Sequence, residues 1–189
     1  LKFAYGNLFS NGVKHLLVRR MVPSGVYIDV FSYRNKHFIS LLSHKESVMN
    51  YVNDTVADVN GDKAFDLLVQ WYPGAGCCLR NIYEVYIYLP ESNSFTSAYQ
   101  FINPTFYPSE KIIRGIGYGQ PGEAALYKYK WNGLHIDTVE YIYHNTEDTI
   151  HHSYYRTIRR IEEDNVKRKV LKSLPAEYRG ITDFDWFVE

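Results

Sequence analysis

Apolar and polar residues alternate along much of residues 1–145, a pattern typical of β-strands that bury one face. Turn residues separate the apolar runs. The clearest turn is Trp131-Asn132-Gly133-Leu134, a predicted hairpin in which Asn132 and Gly133 can both adopt a positive φ. Eight strands are predicted: Val13–Arg20, Val26–Tyr33, Lys36–Leu42, Asp66–Tyr72, Ile82–Leu89, Lys111–Ile116, Glu123–Trp131 and Leu134–Tyr143. This succession predicts a mainly β protein, an antiparallel β-sandwich or a small barrel-like sheet.

The pattern changes after residue 150. From Thr157 to Leu174 the apolar positions fall near helical spacing, with the acidic residues 162–164 ahead of the basic residues 167–169. Acidic residues near the start of a helix and basic residues near its end complement the helix dipole. This segment therefore predicts a C-terminal α-helix that ends before Pro175. We therefore expect a β domain over residues 1–150 and a helical segment over residues 151–189 docked on it.

Composition narrows the possible partners. The chain has 189 residues, 46% of them hydrophobic, which is enough to bury a core. Its 21 basic residues balance 21 acidic ones, so no overall field favours nucleic acid, and we expect none as a partner. No apolar run has the length of a transmembrane segment. Aromatic residues make up 16% of the chain, which suits cross-strand pairing in a β protein and also a peptide- or carbohydrate-binding surface.

One loop has the ligand spacing of a calcium site. Oxygen-bearing side chains of Asp58, Asn60, Asp62 and Asp66 occupy alternate positions 1, 3, 5 and 9, and the carbonyl of Ala64 would fill position 7. Ca²⁺ takes roughly 6–8 oxygen ligands in flexible geometry, which such a loop can wrap around one point. A strand-like run follows the loop, where an EF-hand would continue into a helix. The alternative is an Asp/Asn-rich turn that holds no metal.

The segment DVNGDKAFDLLV resembles the DxNxDGxxDL signature of FG-GAP and VCBS-type calcium loops, found in exported and cell-surface proteins. The similarity extends loosely over residues 50–145, in an order similar to that of small bacterial periplasmic or surface proteins. Some of these inhibit lysozymes. The resemblance implies export and binding of Ca²⁺. Lys63 departs from the signature, because the family usually has Gly there, a residue that favours a positive φ and carries no charge.

The lysozyme-inhibitor relatives present an SGxY loop to the enzyme, and Ser24-Gly25-Val26-Tyr27 matches this short motif. The resemblance thus implies a partner-binding role for Ser24 and Tyr27. The same residues also suit a plain turn after Pro23 that leads into a strand.

Other sequence features have weaker chemical interpretations. His144, Glu147, His151 and His152 are possible zinc ligands, with a surface cluster as the alternative. The GxGxxG match over residues 117–122 precedes a strand-like run and is interpreted as a turn, because a dinucleotide site needs a helix there.

Cys77 and Cys78 are adjacent in the sequence. They are either two free thiols or a strained vicinal disulfide.

No nucleophile and base stand in a recognised catalytic pattern. We therefore expect a protein that is not an enzyme, acts outside the cytoplasm with one Ca²⁺, and binds a protein or glycan at the bacterial cell envelope. The alternatives are an inhibitor of a peptidoglycan hydrolase and a metal-dependent hydrolase that uses His144, Glu147 and His151.

Overall fold

The structure is a computed structural model that describes residues 1–74, 80–118, 124–161 and 166–188. Within these residues the protein is mainly β, with antiparallel sheets and a short C-terminal α-helix, which confirms the predicted fold class. The strands and the helix are β1 (Lys2–Gly6), β2 (Lys14–Val22), β3 (Gly25–Arg34), β4 (His37–Glu46), β5 (Tyr51–Ala57), β6 (Asp66–Trp71), β7 (Ile82–Tyr86), β8 (Tyr88–Leu89), β9 (Ser94–Phe95), β10 (Tyr99–Ile102), β11 (Pro104–Tyr107), β12 (Ile112–Tyr118), β13 (Ala124–Asn132), β14 (His135–His144), β15 (Tyr154–Thr157), β16 (Lys169–Leu171) and α1 (Phe184–Val188).

The chain divides into two compact units. The first comprises Leu1–Gly76 and Asn81–Phe101, and the second comprises Cys77–Arg80 and Ile102–Glu189.

The first unit contains two four-stranded sheets, ordered β1-β2-β3-β4 and β10-β7-β6-β5, and the small pair β8-β9. Val26, Ile28 and Val30 of β3 are fully buried, and they share one core cluster with Leu67 and Val69 of β6. Because successive strand residues point to opposite faces, the intervening residues of β3 lie on the outer face of the first sheet. The two sheets therefore pack as a sandwich around one core.

The second unit is a six-stranded meander in which β11 to β16 pair in chain order. Its core contains Ile116 and Ile142 from the sheet, together with Tyr178 from a 3₁₀ turn and Phe187 from α1. Tyr178 and Phe187 of the C-terminal tail thus pack against the sheet. Among the described residues, no helix has the length and apolar character needed to cross a membrane.

All eight predicted strands overlap observed ones, and the predicted hairpin after β13 is present but shifted by one residue. Asn132 pairs with His135, so the two-residue loop is Gly133-Leu134, with Gly133 at φ +60°. A glycine with positive φ in the first loop position matches the twist of the flanking strands. The prediction overlooked β1, β5, β9 to β11, β15 and β16, most of which have five residues or fewer.

The predicted helix from Thr157 to Leu174 is wrong. Thr157 ends β15, and residues 169–171 form β16, while the only α-helix in the described residues is α1 near the C-terminus. Helix-favouring charge pairs contribute only about 0.2–0.5 kcal/mol each. Pairing of Thr157 with β14 and of β16 with β15, together with burial of Leu171 and Leu174 against the unit's core, outweighs that preference. Since β14 and β15 lie in one sheet, the sheet continues across the expected boundary near residue 150.

Candidate functional site

The loop over residues 58–66 wraps around its own acidic side chains. Asp58 accepts hydrogen bonds from the N–H groups of Gly61 (2.7 Å) and Lys63 (3.0 Å). Asn60 Oδ1 accepts from the N–H of Asp62 (3.0 Å). Asp62 in turn accepts from the Ala64 N–H (2.8 Å) and from the Asn60 side-chain amide (2.9 Å). These contacts satisfy the backbone of a tight turn and fix the alternate side chains on its inner side.

Asp66 closes the loop and is fully buried at the start of β6. Its Oδ2 accepts a hydrogen bond from the Val59 N–H (3.1 Å), and its Oδ1 accepts one from the Tyr88 N–H (3.0 Å). Burial raises the pKa of Asp66 to about 7, and the negative charges of Asp62 and Asp58 add to this effect. The loop thus brings a third carboxyl group close enough to two others for their charges to interact.

The donor set of the loop suits Ca²⁺. Its side chains offer oxygen only, the ligand type that Ca²⁺ prefers, and each carboxylate oxygen that accepts one N–H retains a second lone pair. Within the described residues, no Lys or Arg forms an ion pair with Asp58, Asp62 or Asp66. In the same part of the chain, no three His, Cys, Asp or Glu side chains meet as a metal-holding group. The loop oxygens are directed to loop amides instead.

Lys63 adopts φ +74°, and Gly61 adopts φ +77° in the same loop. The left-handed conformation that the family signature satisfies with Gly is therefore present here with a lysine. A residue with a Cβ is strained in this conformation, so lysine at this position costs local conformational energy.

The Ser24 to Tyr27 segment forms the turn between β2 and β3. Val22 pairs with Gly25, which leaves Pro23 and exposed Ser24 at the tip of a two-residue hairpin. The hydroxyl groups of Ser24 and Tyr27 lie 3.3 Å apart, and this hydrogen bond lowers the pKa of the Tyr27 phenol.

A groove of about 410 Å³ adjoins this tip, lined by residues 23–25 and 45–49. Met49, at one end of the groove, is 88% exposed. The hairpin tip is thus open to solvent beside a groove of mixed polar and apolar lining.

The histidine cluster does not come together as a zinc site. His144 Nε2 lies 2.8 Å from the Phe187 carbonyl oxygen, and its ring packs against Phe187. Glu147 accepts a hydrogen bond from the Tyr155 hydroxyl (2.9 Å), while His151 Nδ1 lies 3.2 Å from Asp148. Each side chain therefore has a separate partner.

Three predicted features lie wholly or partly outside the described residues. Cys77 and Cys78 lie outside them, as does most of the GxGxxG segment after Tyr118. Residues 162–165, which carry the acidic start of the predicted helix, are also outside them.

Sequence reasoning missed a group of exposed aromatic residues on the first sheet. The rings of Tyr5, Tyr33 and Phe38 contact one another with centroid separations of 5.0–6.4 Å. The sequence signal for them is strand alternation. Phe31 and Tyr33 occupy the positions of β3 that alternate with the buried Val26, Ile28 and Val30, so they lie on the opposite face of the sheet.

No family model matches this chain, and no curated protein matches it. Its fold is similar to a solved structure described as that of a Xanthomonas type IV secretion system related protein. The two share 11% sequence identity at a TM-score of 0.50, over 88% of this chain and 92% of the other. A likeness at this identity concerns the fold alone.

Proposed function

We propose that the protein is a non-enzymatic binding module of the bacterial cell envelope that holds one Ca²⁺ and binds a protein or glycan partner. The observation that carries the proposal is the 58–66 loop, in which the charges of Asp58 and Asp62 act on the buried Asp66 and no Lys or Arg of the described residues forms an ion pair with any of the three. A divalent cation would neutralise this charge. The fold of the Xanthomonas neighbour, which is described as related to secretion, is compatible with an extracytoplasmic role.

Ca²⁺, when bound, supplies charge neutralisation and rigidity at this turn. The side chains of Asp58, Asn60, Asp62 and Asp66 and the carbonyl of Ala64 would hold it. Ca²⁺ polarises a bound water far less than Zn²⁺ does, so a structural role suits this loop better than hydrolysis. The loop residues themselves position β6 and, through Asp66, the backbone at Tyr88.

Ca²⁺ should raise the melting temperature, because a ligand that binds only the folded state stabilises it by mass action. Asp58→Ala and Asp62→Ala should abolish this gain, whereas Asp137→Ala, at a half-buried position in β14 outside the loop, should retain it. The measurement is thermal unfolding in excess Ca²⁺ and in chelator. Superposable melts for the unmodified protein would refute the calcium proposal.

Inhibition of a peptidoglycan hydrolase is the second candidate function. It is favoured by the exposed Ser24 hairpin tip and by the groove beside it. A small protruding turn next to a groove is a suitable shape for entering the cleft of an enzyme. In this case Ser24→Ala and Tyr27→Ala would lose inhibition, while Ser92→Ala, in another exposed turn, would keep it.

A further inference from the structure

The outer face of the first sheet carries exposed aromatic side chains that belong to no core. Phe3 is 73% exposed, Tyr5 52% and Phe38 51%, and Tyr33 lies beside them. Tyr33 pairs directly with Phe38 across β3 and β4, and Tyr5 contacts both rings. We call Phe3, Tyr5, Tyr33 and Phe38 the aromatic face. Because the rings of Tyr5, Tyr33 and Phe38 contact one another, this part of the face is already ordered before any partner binds.

Unpaired positive charges border this face. Lys14 lies on it and pairs with Tyr33 across β2 and β3, and Lys36 lies in the turn between Tyr33 and Phe38. Both are exposed, and neither forms an ion pair within the described part of the chain. An apolar centre with a charged rim is the usual anatomy of a protein interface.

Acidic residues are nearly absent from the same sheet. Residues 1–46 contain seven Lys and Arg but only Asp29 and Glu46 as acids. Asp29 accepts hydrogen bonds from Arg20 (2.8 Å) and Ser43 (2.6 Å), so its charge is already compensated. The first sheet is thus positively charged although the whole chain has no net charge. Because interfaces pair opposite charges, this sheet favours an acidic partner.

The aromatic face borders a free strand edge. β1 is the terminal strand of its sheet and pairs with β2 alone among the described strands, and residues 2–5 are exposed. A free edge presents N–H and C=O groups that the backbone of an added strand can satisfy. Lipids and glycans offer no such ladder of amides, so the edge favours a polypeptide.

We propose that the aromatic face and the free edge of β1 bind an extended polypeptide segment in which acidic residues alternate with apolar ones. The segment adds to the sheet beside β1. Its apolar side chains cover Phe3 and Tyr5, and its carboxylates meet Lys14 and Lys36. This inference rests on the binding role proposed above and specifies the chemistry of the partner.

The test is selection of random ten-residue peptides, displayed on phage, against the immobilised full chain. Selected peptides should be enriched in Asp and Glu alternating with aromatic or β-branched residues. Their affinity should fall at least tenfold for Tyr5→Ser and for Lys14→Glu. It should be unchanged for Ile150→Ser, an exposed apolar position in the second unit. Melting temperatures of the three variants establish that each is folded.

A second arm tests strand addition directly. N-methylation of one alternate set of backbone amides in a selected peptide should abolish binding, and methylation of the other set should be tolerated, because an added strand directs every second N–H toward β1. Tolerance of both sets would overturn strand addition.

Other outcomes overturn the proposal as a whole. The first is selection of peptides that are not enriched in acidic residues, and the second is equal binding of the selected peptides to Tyr5→Ser. The third is that no peptide binds, while phosphatidylglycerol vesicles or polygalacturonate bind the unmodified protein and fail to bind Tyr5→Ser. The calcium melts and the peptide selection use different residues, so the two proposals fail independently.

Discussion

At the scale of single residues, the conformation of Lys63 is the most informative detail of the loop. Its φ of +74° means that the loop follows the course expected for a glycine while carrying a side chain. The N–H of Lys63 donates to Asp58, which compensates part of the strain. Replacing Lys63 with Gly removes the Cβ and therefore measures the energetic cost of the left-handed conformation at this position.

Lys63→Gly should raise the free energy of unfolding by up to about 1 kcal/mol in chelator, because the relief of left-handed strain exceeds the entropy that glycine adds to the unfolded chain. Calcium affinity should also rise, since a positive charge leaves the loop. Urea unfolding and calorimetry measure the two effects. Lys172→Gly, at a position without a positive φ, serves as the control and should destabilise. A lower stability for Lys63→Gly would contradict the assignment of strain.

Asp66 should make the stability of the calcium-free protein fall as pH rises. Its folded pKa of about 7 lies above the ordinary aspartate value of 3.8, so the protonated carboxyl favours the folded state. Its contribution is fully present below about pH 4 and is lost as the pH rises through about 7, a loss of up to about 4 kcal/mol.

Urea unfolding in chelator at several pH values tests this, with Asp66→Asn expected to flatten the slope over that window. Because Ca²⁺ requires the carboxylate, the gain in melting temperature on adding Ca²⁺ should grow over the same window. A slope that is unchanged in Asp66→Asn would show that another group causes the pH dependence.

At the scale of elements, β15 is held to β14 by a buried charged contact. Arg156 donates to Glu140, and the Tyr178 hydroxyl donates to the other carboxylate oxygen of Glu140 (2.9 Å). Glu140 is 3% exposed, and burial raises the pKa of the Tyr178 phenol, which keeps its proton available for this bond. This contact joins β14, β15 and the turn after Pro175 into one packed assembly.

Arg156→Ala should lower the free energy of unfolding by about 3 kcal/mol, because it leaves the buried carboxylate of Glu140 without its cation. Lys169→Ala, at the exposed position of β16 opposite Arg156, should cost less than about 0.5 kcal/mol. Adding Glu140→Gln to Arg156→Ala should recover part of the loss. If the two single alanine variants have equal stability, the ion pair contributes nothing to the attachment of β15.

At the scale of the whole molecule, the chain has no net charge, but its charged residues are unevenly distributed. The N-terminal sheet is basic and aromatic on its outer face, whereas the 58–66 loop in the same unit concentrates carboxylates. Both features suit binding, and neither pairs a nucleophile with a base.

The purified protein should therefore perform no turnover of its own. Incubation with peptidoglycan, with and without a lysozyme, distinguishes the candidates when both glycan release and complex formation are followed. We expect no release by the protein alone, and a stoichiometric loss of lysozyme activity would favour the inhibitor. Glycan release that disappears in His144→Ala or Glu147→Ala, but persists in His135→Ala, would establish the hydrolase.

The sequence by itself determined the loop and the eight strand segments whose pattern is clear. The alternation in β3 and the Gly-containing turn before β14 are local patterns. Such patterns can be recognised from the sequence because strand side chains alternate between the core and the outer face. The oxygen residues of the 58–66 loop are likewise local, since a turn of nine positions fixes their proximity through its own hydrogen bonds.

Only the tertiary structure decided which residues far apart in the sequence contact one another. Thr157 to Leu174 has helical spacing, yet pairing of β16 with β15 and burial of Leu171 stabilise a strand there, because long-range contacts outweigh weak local propensities. The aromatic face was equally hidden, since Tyr5, Tyr33 and Phe38 meet only when β1 to β4 are assembled in register. The Cβ strain at Lys63 and the burial of Asp66 also depend on how the folded chain closes around them.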